Sequence, residues 1–256
     1  MFVLPSIEHY MAANRPRTRI YTEEQLFSKK VFKFRRDQAF YLTKVLRLKS
    51  DSTVGLFNGR DGEWVTLLEV NGAREVIGTI LDQLCLPESS TGLTLAFSPI
   101  KKAPLEVLLI KATELGAQTL QPVITEYTNA ELGRLDRLKS LLVESAEQCE
   151  RCTIPALKAP LPLAEWVSVA RDVWVAKEAG PVHSTEDINE RVPKALLVGP
   201  EGGFSPGELQ LFADNQLFTQ VNLGPRILKS ETAGIALMTL AQLARGQFDT
   251  RPAFRS

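Results

Sequence analysis

Two segments in the C-terminal third combine residue types that could do chemistry. The first, Leu197-Val198-Gly199-Pro200-Glu201-Gly202-Gly203-Phe204, places three glycines within five residues beside one carboxylate. Residues without a Cβ let backbone N–H and C=O groups approach a ligand closely; the same composition also suits a tight strand-to-helix turn with no ligand. The second, Leu223-Gly224-Pro225-Arg226-Ile227-Leu228-Lys229-Ser230-Glu231-Thr232-Ala233, sets a single guanidinium among apolar residues before Lys-Ser. A phosphate-cradling P-loop needs a glycine before that Lys-Ser pair, and Leu228 stands there instead. No Gly-x-Gly-x-x-Gly follows a predicted strand either, which leaves a Rossmann dinucleotide site unsupported. A loop of apolar residues around one Arg suits an uncharged planar group better than a phosphate.

Both segments need a strand behind them and a helix ahead. Ala195–Val198 and Gln220–Leu223 read as strands, and helices are predicted at 206–214 and 231–245. Ser205 as N-cap, Pro206 at the first helical position and Glu208 completing a capping box mark the first of those helices. Further strands are expected at Leu93–Phe97, Thr119–Ile124 and Val173–Ala176, with helices at Pro104–Leu115, stopped by Gly116, and about 131–150. Strands spaced by helices imply an α/β domain with a parallel sheet, whose ligands sit beyond the carboxyl ends of the strands.

Residues 17 to about 84 read differently. Short strands at 18–21, 54–57, 63–68 and 76–80 are separated by Asn58-Gly59, Asp61-Gly62 and Asn71-Gly72, which are strong hairpin signals. One helix, Asp37–Leu48, carries Phe40, Tyr41, Lys44, Val45 and Leu48 on its period. The expectation is a small, mostly antiparallel β-barrel or half-barrel. A linker-like stretch, Pro87 to Gly92, separates it from the α/β region.

Thirty Lys and Arg balance thirty Asp and Glu, yet residues 15–49 hold eleven cations against three acids, a surplus of eight. Such a block is either a solvated face or a docking surface for a polyanion. No apolar run reaches membrane-spanning length, and the N-terminal stretch with Glu8, His9 and Asn14 lacks a secretory core. Three cysteines favour a reducing compartment over a disulfide scaffold. Cys149 and Cys152 form a Cys-x-x-Cys toward a helix end, while Cys85, His9 and His183 are scattered along the chain, so no metal site is expected.

The two C-terminal segments together resemble the paired knot motifs of the RsmE family of ribosomal RNA uridine-N3 methyltransferases, in the SPOUT (trefoil-knot) superfamily. Val45-Leu46-Arg47-Leu48 is similar to the family's N-terminal helix, and Lys111-Ala112-Thr113-Glu114-Leu115-Gly116-Ala117 to its first C-domain helix. Glu147-Gln148-Cys149-Glu150-Arg151 followed by Ile154-Pro155 is similar to its middle motif. Five motifs in order cover nearly the whole chain. Lys229 stands where the family usually has Arg, Tyr41 where His is frequent, and the cysteines where Ser or Thr are commoner.

The resemblance implies an N-terminal extension at 1–16, a PUA-like RNA-binding module at 17–88 and a SPOUT methyltransferase domain at 92–250. It implies S-adenosylmethionine bound by Val198, Gly199, Leu223, Gly224 and Leu228, with Gly202 and Gly203 leaving room for it. Arg226 is the candidate for stabilising negative charge on the uracil, with phosphate binding as its other reading. Glu201 is the candidate for taking the proton or orienting that Arg, or else caps backbone amides of its own turn. Arg17, Arg19, Lys44, Arg47, Gln148, Arg151 and Lys229 are the candidate RNA contacts. The implied partners are small-subunit ribosomal RNA or the small ribosomal subunit and a second copy of the chain, in the cytoplasm and away from membranes. Two other readings stay open: a non-catalytic RNA-binding assembly factor retaining the knot, and a knotted methyltransferase with another RNA target.

Overall fold

The computed structural model describes residues 16, 18–72, 74–87, 92–177 and 192–249. The chain divides into two compact units: residues 1–89 with 146–154, and 90–145 with 155–256. Segment 146–154, expected within the α/β domain at 92–250, belongs to the first unit. Arg17 and the extension at 1–15 lie outside the described residues.

The first unit is a five-stranded sheet in the order β1 (Arg19–Tyr21), β3 (Thr53–Asn58), β4 (Gly62–Val70), β5 (Val76–Cys85), β2 (Val31–Lys33). β1 pairs with β3 in parallel and every other pair is antiparallel. Register shifts in β4 against β5 fit the curl of a half-barrel. The turn before β4 is a hydrogen-bond hub: the Asn58 side-chain oxygen accepts the Arg60 and Asp61 amides, at 3.0 and 2.6 Å. Asp61 Oδ2 in turn accepts the Leu26 amide at 2.9 Å.

The expected helix at Asp37–Leu48 is shorter and differently turned. An α-helical turn, α1 (Arg36–Phe40), runs into a π-type turn at Tyr41–Val45, and the Leu46 amide donates to the Tyr41 carbonyl at 3.0 Å. Arg47, with φ +56°, ends it. Core packing overrides the 3.6-residue pattern: Gln38, Ala39 and Leu42 are buried, while Phe40, Tyr41 and Val45 are 51%, 39% and 59% exposed.

The second unit is built on a parallel sheet in the order β12 (Phe218–Asn222), β10 (Val173–Lys177), β11 (Ala195–Val198), β6 (Thr94–Phe97), β7 (Thr119–Ile124), β8 (Ala156–Leu157), with β9 (Leu161–Pro162) also on β7. All four residues of β11 are buried, as expected of a strand covered on both faces. The helices are α2 (Lys102–Glu114), α3 (Leu135–Gln148), α4 (Leu163–Val169), α5 (Pro206–Asp214) and α6 (Ser230–Ala244). α2 ends in a Schellman pair, with the Gly116 amide on Thr113 O and the Ala117 amide on Ala112 O. α6 lies against α2 so closely that a Cβ on Gly234 would fall 2.6 Å from Leu108. β2, β8, β9 and α4 carry too few residues to stand out as periodic patterns.

Candidate functional site

The loops that follow β6, β11 and β12, together with the last residues of β10, converge at the carboxyl edge of the parallel sheet, around a cavity of about 840 Å³. Small-molecule sites span roughly 300–1,000 Å³. Val198, Gly199, Gly202, Gly203, Leu223, Gly224 and Leu228, the seven residues picked out for the cofactor, all line it. So do Glu201, Arg226 and Lys229.

Local geometry explains the glycines. A Cβ on Gly199 would sit 3.0 Å from the Phe204 ring, so that ring folds back over the loop only because the side chain is missing. Gly203 has φ +72° with nothing within 4 Å of a Cβ, so backbone conformation rather than crowding selects glycine. The predicted capping box is present: Ser205 Oγ accepts the Glu208 amide at 3.3 Å, and Glu208 Oε2 accepts the Ser205 amide at 2.8 Å. The second oxygen, Glu208 Oε1, accepts the Glu126 amide at 2.8 Å, which pins the glycine-rich turn to the loop after β7.

The two signature loops are tied to each other. Ser230 Oγ, at the start of α6, donates to Gly199 O at 2.6 Å and is buried. Glu201 is exposed, and its Oε1 accepts the Lys101 backbone amide at 3.3 Å, at the start of α2. It therefore caps a neighbouring helix rather than its own turn, and no ion pair joins it to Arg226, which is exposed on the cavity. Lys101 and Lys177 also line the cavity, and Lys177 Nζ donates to Gln220 Oε1 at 2.8 Å. Sequence reasoning missed both lysines, although each sits just past or at the end of a strand it had predicted.

The candidate RNA contacts separate into distinct environments. Lys44 and Arg47 are exposed next to Phe40, Tyr41 and Val45, so the first unit presents cations and solvent-facing rings together. Gln148 is exposed, and Arg151 is half-buried with Nη2 donating to Thr153 Oγ1 at 2.8 Å. Lys229 is exposed as the N-cap residue of α6. Arg19 is a correction. It is 7% exposed, its Nε lies 3.0 Å from Glu63 Oε2, and its Nη1 donates to Ala146 O at 2.9 Å. With Phe57 under its guanidinium at 4.1 Å, this cation holds the first unit together and is closed to a phosphate.

Cys85 is also not isolated: its Sγ lies 3.4 Å from Cys152 Sγ. Among the described residues no helix is long and apolar enough to cross a membrane.

Residues 87–242 match the RNA methyltransferase domain family, and residues 34–81 the RNA methyltransferase PUA domain family. The chain belongs to the RsmE family. The ribosomal RNA small subunit methyltransferase E of Rickettsia conorii is 29% identical over 231 residues, covering 88% of this chain and 95% of its own. The Neisseria gonorrhoeae ribosomal RNA small subunit methyltransferase E, solved bound to S-adenosyl methionine, superposes with TM-score 0.78 at 27% identity, over 88% of this chain and 97% of that one. The Legionella pneumophila putative methyltransferase Lpg2936, solved with SAM bound, gives TM-score 0.79 at 27% identity over 89% and 97%. The RsmE architecture, a SPOUT-type α/β domain with a PUA-like half-barrel, accounts for the parallel sheet, the loops at its carboxyl edge and the curled N-terminal sheet.

Proposed function

We propose that this RsmE chain transfers a methyl group from S-adenosylmethionine to N3 of a uridine in small-subunit ribosomal RNA. The observation that carries the reading is the meeting of loops 198–204 and 223–229 around one cavity, with a single guanidinium, Arg226, exposed on it. The relatives solved with S-adenosyl methionine and named for the small ribosomal subunit support the cofactor and the RNA class.

The residues present fit that cofactor. Backbone groups of Val198, Gly199, Leu223, Gly224 and Leu228 offer a neutral pairing edge for adenine, and Gly202 and Gly203 keep side chains out of the cavity. When bound there, S-adenosylmethionine supplies an electrophilic methyl group on a sulfonium. Uracil N3–H is weakly acidic, so the protein must hold the ring in line and stabilise the charge left as the proton departs. Arg226 takes the second task by facing its guanidinium toward the imide oxygens. Glu201, exposed at the cavity, is the nearby carboxylate for the proton.

In the 17–88 module, Lys44 and Arg47 meet phosphates, which positions RNA without reading its sequence. The exposed rings of Phe40 and Tyr41 offer stacking surfaces for unpaired bases. Methylation within the 92–250 domain by a homodimer fits Ile227, an apolar side chain 81% exposed in the single chain and set next to Arg226.

The test is mass mapping of small-subunit ribosomal RNA incubated with the protein and S-adenosylmethionine. A new methyl group at uridine N3 supports the reading, and methylation at carbon 5 or ribose O2′ overturns it.

A further inference from the structure

Two of the three cysteines, which the proposed methyl transfer does not use, are brought together by the fold of the first unit. Cys85 closes β5 and Cys152 follows α3, 67 positions later, yet their sulfurs are 3.4 Å apart. That is sulfur–sulfur contact distance, and the two sulfurs must close to about 2.05 Å to form a disulfide. Cys152 is fully buried, and Cys85, half-buried, is the more accessible of the two.

The surroundings favour thiol chemistry over a cation. Glu63, Cys85 and Cys152 bring one ligand-type atom each within 4.8 Å of one another. But Arg19 already occupies the centre, with Nε 3.0 Å from Glu63 Oε2 and Nη2 donating to Cys152 Sγ at 3.6 Å. A metal ion would have to share that carboxylate with a guanidinium of like charge. The same guanidinium, through Nη2, sits on the Cys152 sulfur, the one that closes the bond in the second step below. Cys149, the neighbour in sequence, instead turns its Sγ toward Ala146 O at 3.9 Å, on its own helix.

We propose that Cys85 and Cys152 are an oxidation site, at which a peroxide converts the pair into a disulfide. The Cys85 thiol attacks one oxygen of hydrogen peroxide; the O–O bond breaks, a sulfenic acid forms and one water leaves. Cys152 then attacks that sulfur; the S–O bond breaks, the S–S bond forms and a second water leaves. Two thiols are oxidised by two electrons and one peroxide is reduced to two waters. The bond ties the end of β5 to the 149–154 segment that carries Arg151, and in a reducing compartment thiols undo it.

The full chain is treated with hydrogen peroxide, alkylated in denaturant and digested without reduction for peptide mass mapping. Titratable thiols should fall from three to one, and Cys85 and Cys152 peptides should appear cross-linked and separate on reduction. Cys149→Ser should keep the cross-link and Cys85→Ser should abolish it. A Cys149–Cys152 cross-link, a cross-link lost in Cys149→Ser, or Cys85 oxidised to sulfinic acid while Cys152 stays reduced overturns the proposal.

Discussion

The Ser230 hydroxyl donates to the Gly199 carbonyl at 2.6 Å in a buried setting, so the turn after β11 and the start of α6 form one wall of the cavity. Thirty-one positions separate the two residues in the chain. Removing the donor leaves a buried carbonyl without that partner, which costs about 1–3 kcal/mol. Ser230→Ala should therefore lower the melting temperature and weaken S-adenosylmethionine binding several-fold by calorimetry. Unchanged affinity in a destabilised variant would make the bond a packing feature only.

Arg226 is exposed at the same cavity and engages in the proposal only when uracil carries charge. Arg226→Ala should lower turnover by about 10²–10³, the usual cost of losing one charge-stabilising donor, with little change in cofactor affinity. Parallel losses in single-turnover rate and in calorimetric affinity would reassign it to the cofactor.

Gly203 holds φ +72° with open space around its Cβ position. Gly203→Ala should cost about 1–2 kcal/mol from backbone strain alone, read as a lower denaturant midpoint with an unchanged slope. A cofactor-binding defect beyond that loss would mean the added methyl group also enters the ligand's space.

Arg19 and Lys44 began as equivalent candidates for phosphate and the fold separates them. Arg19→Ala breaks the ion pair to a fully buried Glu63 and should destabilise by about 3–5 kcal/mol. Lys44→Ala, at an exposed position, should leave stability unchanged and reduce the salt slope of RNA binding by about one. Chemical denaturation and filter binding across salt concentrations distinguish the two.

The Arg60 guanidinium, together with the Leu26 amide and the Asn58 side chain, holds the Asp61 carboxyl down to about 2 from its ordinary 3.8. A carboxyl lowered in the folded state adds stability that is fully present above pH 4 and is lost as pH falls toward 2. The stability gap between wild type and Asp61→Asn should therefore shrink across that window in urea titrations. A gap independent of pH would assign the effect to the turn's neutral hydrogen bonds.

Much of the site was legible because its signals are local. Ser205 and Glu208 of the capping box are three positions apart, and the missing glycine before Lys229 is a matter of one position. The helix expected at 37–48 stops short, as an α turn over 36–40 and a π-type turn over 41–45 ended by Arg47, and its periodic residues Phe40, Tyr41 and Val45 face solvent while Leu42 takes the core. Period alone says that a face exists, and packing against β-strands decided which side was buried.

The sequence by itself determined the two kinds of sheet, the strand–loop–helix units and the family, since each rests on short-range patterns of turn residues, caps and glycines. Only the tertiary structure decided that Arg19 pairs with Glu63 across 44 positions, that Cys85 meets Cys152 across 67, and that Arg19 also reaches Ala146 across 127. Such partners leave no mark in neighbouring residues. Their meeting follows from which strands and helix ends pack together, and the cost of burying a charge then selects a partner for it.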